Sequence, residues 1–114
     1  EINTEIATEL LTEEGCIVET ANDGVVCIDM IEKAEADYYK MILMDIQMPV
    51  MNGYDAALII RKMKDTKKAR IPIIAMTANA FAEDAQKVLS VGMNAHVAKP
   101  VDMNILVPTM MKYL

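Results

Sequence analysis

Apolar residues recur along this chain in two rhythms, one at helical spacing and one nearly unbroken over a few residues, and the two rhythms take turns. Ile2, Ile6, Leu10 and Leu11 share a helical face over Ile2 to Glu14, with Glu5, Glu9 and Glu13 off it and Gly15 as the stop. The stretch "CIVET" follows as a short strand. In the turn "ANDG", Asp23 is placed to cap a second helix carrying Cys27, Ile28 and Ile31 inward. "KMILMD" is apolar almost throughout, as a strand covered on both faces would be. A third helix starts at Asn52 or Gly53 with Ala56, Ile60 and Met63 inward, and "IPIIAMT" gives another buried strand ending at Thr77. Glu83 to Val91 form a fourth helix closed by Gly92, "HVAK" forms a strand, and a last helix runs from Asp102 toward Leu114. Pro108 is awkward in that helix, because a proline beyond the first turn loses a hydrogen bond and clashes with the carbonyl four residues back. The helix therefore starts late, near Asn104, or it is kinked.

The order αβαβαβαβα predicts an α/β domain, a parallel sheet between two layers of helices. With 114 residues the chain makes one domain, residues 1–114, with no repeats or linkers. Hydrophobic residues make up 54% and charged residues 25%, the balance of an ordinary globular chain rather than a disordered one. The apolar stretches are too short to cross a bilayer and no leader opens the chain, so the reading is cytoplasmic, without membrane contact by this domain. A net charge of −6 argues against nucleic-acid binding. The basic residues gather in "RKMKDTKKAR" (61 to 70), which reads as a solvated helix end and loop. Cys16 and Cys27 have neither metal-ligand nor CxxC spacing and read as buried thiols. The eleven methionines are scattered over nearly every element, as core filler rather than a metal-binding run.

In an open parallel sheet, ligands bind outside the carboxyl ends of the strands. Those ends carry Asp45, Thr77 and Lys99. Asp45 stands directly after an apolar run and before a loop with Pro49 and Gly53, where a ligand can reach it. A carboxylate, a hydroxyl and an ammonium on one edge make a small anion site with its own nucleophile. Asp45 can attack a phosphoryl group, Thr77 can hydrogen-bond a phosphoryl oxygen, and Lys99 can neutralise its charge. Such a transfer needs a divalent cation, normally Mg²⁺ on carboxylates. Taken singly, an Asp at a strand end is usually a turn or cap residue, a strand-end Thr a backbone partner, and a Lys before Pro solvated.

The blocks "MDIQMPVMNG", "IPIIAMTANA" and "GMNAHVAKP" reverse that judgement together, because in this order and spacing they resemble the receiver domain of two-component response regulators. The resemblance runs over essentially the whole chain, and the wording is most similar to receivers of hybrid sensor histidine kinases. It implies a flavodoxin-like doubly wound sheet of order 2-1-3-4-5. It also implies that Asp45 is the phosphoacceptor, Thr77 the switch hydroxyl and Lys99 the phosphate-binding lysine. Gln47 would offer its backbone carbonyl to Mg²⁺. Lys99-Pro100 would be a cis peptide, and Gln47 and Asn79 would tune the lifetime of the acyl phosphate. His96 stands where family receivers often carry an aromatic switch residue. As the chain's single histidine it has other readings, a phosphohistidine carrier, a metal ligand or a plain boundary residue; the first fails because a carrier needs an exposed helix face and His96 opens a short strand, and the second because a lone histidine makes no metal site.

The family also begins with a central strand ending in an acidic pair, and here Glu1 falls where the following helix starts. The expectation is an N-terminally truncated receiver, with that strand and pair present in the natural protein. Unpaired ladder groups cost roughly 1–3 kcal/mol each, so folding of these residues alone would call for exchange of elements between two chains, a homodimer. The expected partners are a histidine kinase or a histidine phosphotransfer domain, and the expected role is relay of a phosphoryl group with switching of partner binding. The alternative is a non-phosphorylated receiver-like interaction module. A haloacid-dehalogenase-type phosphatase fits poorly because position 47 is Gln, and no nucleotide-binding glycine loop makes this chain a kinase.

Overall fold

The computed structural model describes residues 18, 19, 21, 23–36, 38–46, 50–77, 82–98 and 102–113. The expected first helix, Cys16, Ile17 and Thr20 of "CIVET", and Gln47, Asn79, Lys99 and Pro100 lie outside them. In chain order the described elements are α1 (Gly24–Lys33), β1 (Ile42–Asp45), α2 (Gly53–Arg61), α3 (Thr66–Ala69), β2 (Ile73–Thr77), α4 (Ala82–Ser90), β3 (Ala95–Ala98) and α5 (Met103–Met111). The three strands form a parallel sheet in the order β1-β2-β3.

Each start signal read from the sequence is used. The Asp23 carboxylate accepts from the Val26 amide at 2.9 Å, Asn52 Oδ1 accepts from Asp55, and Asp102 Oδ1 accepts from Asn104. These bonds satisfy amide groups that the first helical turn leaves without partners. β2 begins two residues later than the apolar run because Pro72 has no amide hydrogen for the ladder; its carbonyl still accepts from Ile42 at 2.8 Å. α5 starts at Met103, directly after its cap Asp102 and not late near Asn104, and Pro108 lies inside it, on the exposed side.

All five residues of β2 are buried, so the central strand divides two cores. On one face Met44, Ile73 and Ala75 pack with Ile31, Ala56, Ala57, Ile60 and Val88. On the other, Ile74, Met76 and Val97 pack against Leu106 of α5. This double covering is why the strands read as continuous apolar runs.

The basic segment is not uniformly solvated. The Arg61 guanidinium, half-buried at the end of α2, donates to the carbonyls of Gly92, Ala69 and Ile71 at 2.8, 2.8 and 2.7 Å, and to Asn94 Oδ1 at 3.1 Å. Asn94 Oδ1 also accepts from the Ile73 amide at 2.8 Å, so one planar cation ties together the segments entering β2 and β3. Burial lowers the Arg61 pKa from its ordinary value. Gly92 has φ of 90°, and a Cβ there would stand 2.8 Å from Arg61 Cγ. The rest of the segment contains the short helix α3, capped by Asp65. Nearby, Tyr38 and Tyr39 donate their hydroxyls to Glu19 at 2.8 and 2.9 Å and meet edge to face. Desolvation first, and the Glu19 carboxylate second, push the Tyr39 phenol up to about 12. Cys27 is a free, half-buried thiol whose pKa burial raises, in keeping with a packing role.

Candidate functional site

The parallel register fixes where the candidate residues stand. Asp45, last in β1, pairs with Met76, and Thr77, last in β2, pairs with Ala98, last in β3. Asp45 and Thr77 thus end adjacent strands one register row apart, at the carboxyl edge of the sheet. Asp45 is half-buried; Thr77 is only 6% exposed, the one polar residue in the buried set among the described residues. No buried side-chain oxygen or nitrogen among the described residues lacks a hydrogen-bond partner.

The backbone around Asp45 is clamped. The Ile46 amide donates to the Met76 carbonyl at 3.2 Å, and the Gly53 amide donates to the Ile46 carbonyl at 3.0 Å. A Cβ on Gly53 would lie 2.7 Å from the Asp45 carbonyl oxygen and 2.9 Å from Ile46 Cα, both backbone atoms with no room to give. Gly53 was legible as a helix start; its close approach to the end of β1 carried no signal. Replacing Gly53 with Ala is expected to cost about 1–3 kcal/mol of stability through overpacking, and to slow any reaction at Asp45 by moving the strand end. Thermal unfolding read beside the modification rate checks both parts, and an unchanged pair of values would contradict the clamp.

The loop that follows Asp45 brings strain to the same edge. Val50 has φ of 67° and is 85% exposed. A β-branched residue in the left-handed region costs on the order of 1–3 kcal/mol, and such residues cluster at functional sites.

His96 is the second residue of β3 and pairs with Ala75. Strand alternation sets Ala75 and Thr77 on one face of the sheet and places His96 and Ala98 beside them on that face. His96 is half-buried and lines an open cavity of about 350 Å³ bounded by Val88 and Leu89 of α4 and by Thr109 and Tyr113. The structure therefore brings Asp45 and Thr77 to the ends of adjacent strands, with His96 on β3 two residues back from that edge. Lys99 follows β3 in sequence and, with Gln47, Asn79 and Pro100, lies outside the described residues.

Among the described residues no group of three or more His, Cys, Asp or Glu side chains is arranged to hold a metal ion. Asp45 supplies one hard carboxylate, and Mg²⁺ is typically bound through one or two carboxylates with waters and phosphate oxygens completing its shell. The donor present fits Mg²⁺ and would suit a soft metal poorly. Among the described residues no helix is long and apolar enough to cross a membrane.

Residues 1–110 match the Response regulator receiver domain. The chain is 36% identical over 123 residues to hybrid signal transduction histidine kinase B of Dictyostelium discoideum, an alignment covering 99% of this chain and 6% of that protein. It is 40% identical over 108 residues to probable histidine kinase 2 of Oryza sativa subsp. indica, covering 85% of this chain and 10% of that protein. The chain thus spans a tenth or less of the length of these relatives. Among solved structures it is similar to the receiver domain of a Pseudomonas aeruginosa sensor histidine kinase, described with a magnesium ion coordinated in the active-site cleft. The TM-score is 0.85 and the identity 33%, over 98% of this chain and 88% of that one. A Vibrio cholerae chemotaxis protein, CheY4, gives a TM-score of 0.85 at 27% identity, over 99% and 89% of the two chains.

Proposed function

This chain belongs to the response regulator receiver family of two-component signalling, and from that premise we propose that Asp45 is its phosphoacceptor. An Asp45 carboxylate oxygen attacks the phosphorus of a phosphohistidine. The bond from phosphorus to the imidazole nitrogen breaks, its electron pair stays on the imidazole, and an acyl phosphate remains on Asp45. The observation that carries this reading is the pairing at the carboxyl edge: a reachable carboxylate ends β1, and a buried hydroxyl ends the neighbouring strand one row away.

Thr77 then donates its hydroxyl to a phosphoryl oxygen, and Lys99, next in the chain after β3, supplies the cation. The Asp45 carboxylate and the Gln47 backbone carbonyl would hold Mg²⁺, which would supply charge neutralisation at the phosphoryl oxygens. By their places in the sequence, Gln47 and Asn79 are the residues that would tune the lifetime of the acyl phosphate. His96 shares a sheet face with Thr77, so movement of the hydroxyl toward the phosphoryl group lets the imidazole repack beside α4 and changes which partner that face prefers. The donor is a histidine kinase or a histidine phosphotransfer domain. The similarity to hybrid kinases supports a relay role within a longer protein.

Incubation with acetyl phosphate and Mg²⁺, followed by intact-mass measurement, tests the reading. One added phosphoryl group is expected, and chelation of the metal is expected to lower the rate by about 100-fold or more, on the order of 3 kcal/mol of lost charge stabilisation. A folded protein that takes up no phosphoryl group, or takes it up equally in chelator, would contradict it.

A further inference from the structure

The amino end of the sheet, opposite Asp45 and Thr77, holds a feature that phosphoacceptance does not use. A cleft of about 130 Å³ opens where the chain enters β1 and β2. Four cations line it, Lys40, Lys67, Lys68 and Arg70, against the single carboxylate of Glu35. The whole chain carries a net charge of −6, so this local excess of positive charge runs against its overall balance. Lys40 and Arg70 have no ion-pair partner among the described residues. The back wall is apolar, made by Ile31, Ile71 and Pro72, which lowers the local dielectric and strengthens any charge contact made in front of it.

Two of the lining groups are held in place. Lys68 Nζ donates to the Glu32 carbonyl at 2.7 Å, which fixes its head at the rim. The Tyr39 hydroxyl is committed to Glu19 at 2.9 Å, so its ring stands as a fixed side wall. Lys68 and Tyr39 therefore need little further ordering when an anion enters, while the exposed Lys40 and Arg70 close on it. The volume limits the occupant: at ~30 Å³ per water in the liquid, the cleft has room for about four waters. That suits a phosphate group seated in the cleft.

We propose that this cleft binds a phosphate group, free or carried by a small organic phosphate, with Arg70 as the planar fork and Lys40 and Lys68 as point charges. The site is separate from Asp45. Its lining residues precede β1 and β2, whereas Asp45 and Thr77 end them, a strand length of roughly 15 Å away.

The test is a residue-resolved NMR titration of the full chain with inorganic phosphate and, separately, with glycerol phosphate, at an ionic strength held constant with chloride. Saturable shifts of the Lys68, Arg70 and Ile71 amides are expected. Arg70→Glu is expected to weaken binding by about tenfold or more, the loss of one charge-assisted contact. Lys64→Glu makes the same charge change in the same basic segment outside the cleft, and is expected to have little effect. Tighter binding of the ester identifies a small organic phosphate, and equal binding identifies free phosphate; both support the site. Shifts that are absent, that fail to saturate, or that survive unchanged in Arg70→Glu overturn it.

Discussion

Replacing Asp45 with Asn is expected to abolish phosphoryl uptake from acetyl phosphate while leaving the fold in place. The amide keeps the size of the carboxylate but has no anionic oxygen to attack phosphorus, so the loss is of the reaction itself. Asp45 is half-buried at a strand end, and its backbone is held by the Ile46 to Met76 hydrogen bond and by the Gly53 amide donating to Ile46. Neither bond involves the side chain, so the ladder and the start of α2 survive the change. The amide oxygen can still accept a hydrogen bond, so stability is expected to shift by no more than about 1 kcal/mol. Uptake at an unchanged rate would mean that another residue accepts the group. A collapse of the fold would mean that the carboxylate holds the loop rather than the ligand.

The second large effect is expected far from that edge. Arg61→Ala removes four hydrogen bonds at once and leaves the carbonyls of Gly92, Ala69 and Ile71 and the Asn94 side chain with fewer donors in a half-buried place. Hydrogen bonds from a charged donor contribute roughly 1.5–3 kcal/mol, and part of the loss is recovered by water, so a cost of about 3 kcal/mol is expected. For a domain of this size that lowers Tm by on the order of 10 °C. Arg61→Lys is expected to recover only a fraction, because a point charge cannot address four acceptors with one fixed fork. Thermal unfolding of both variants decides it; a change below about 1 kcal/mol for Arg61→Ala would show that water satisfies these acceptors equally well.

The contrast between Asp45 and Arg61 shows what the sequence discloses. Asp45 was legible because its signal is local: an apolar strand, one carboxylate, then a loop with Pro and Gly. The strands were legible for the same reason, since burial on both faces leaves a continuous apolar run, and Asp23 declared its helix by capping chemistry. Their ends slipped where a single atom decides, as at Pro72, whose missing amide hydrogen delays β2 to Ile73. Arg61 gave no such signal. Its acceptors lie at 69, 71, 92 and 94, brought together only by the fold, and a cation in a basic segment reads as solvated until they are seen. The approach of Gly53 to Asp45 is tertiary in the same way, as is the gathering of Lys40 and Tyr39 with Arg70 around one cleft. His96 falls between these cases. Its spacing before Lys99 marked it, but only the strand register sets it on the same face as Thr77.

Residence of the phosphoryl group on Asp45 can be measured directly. The protein is phosphorylated by a phosphohistidine donor in the presence of Mg²⁺ and reduced with borohydride, which converts an aspartyl phosphate to homoserine. It is then digested and mapped by mass spectrometry. Homoserine at position 45, absent when the donor is omitted, is the expected result. Homoserine at another aspartate, or a phosphoryl group retained on His96, would contradict the assignment.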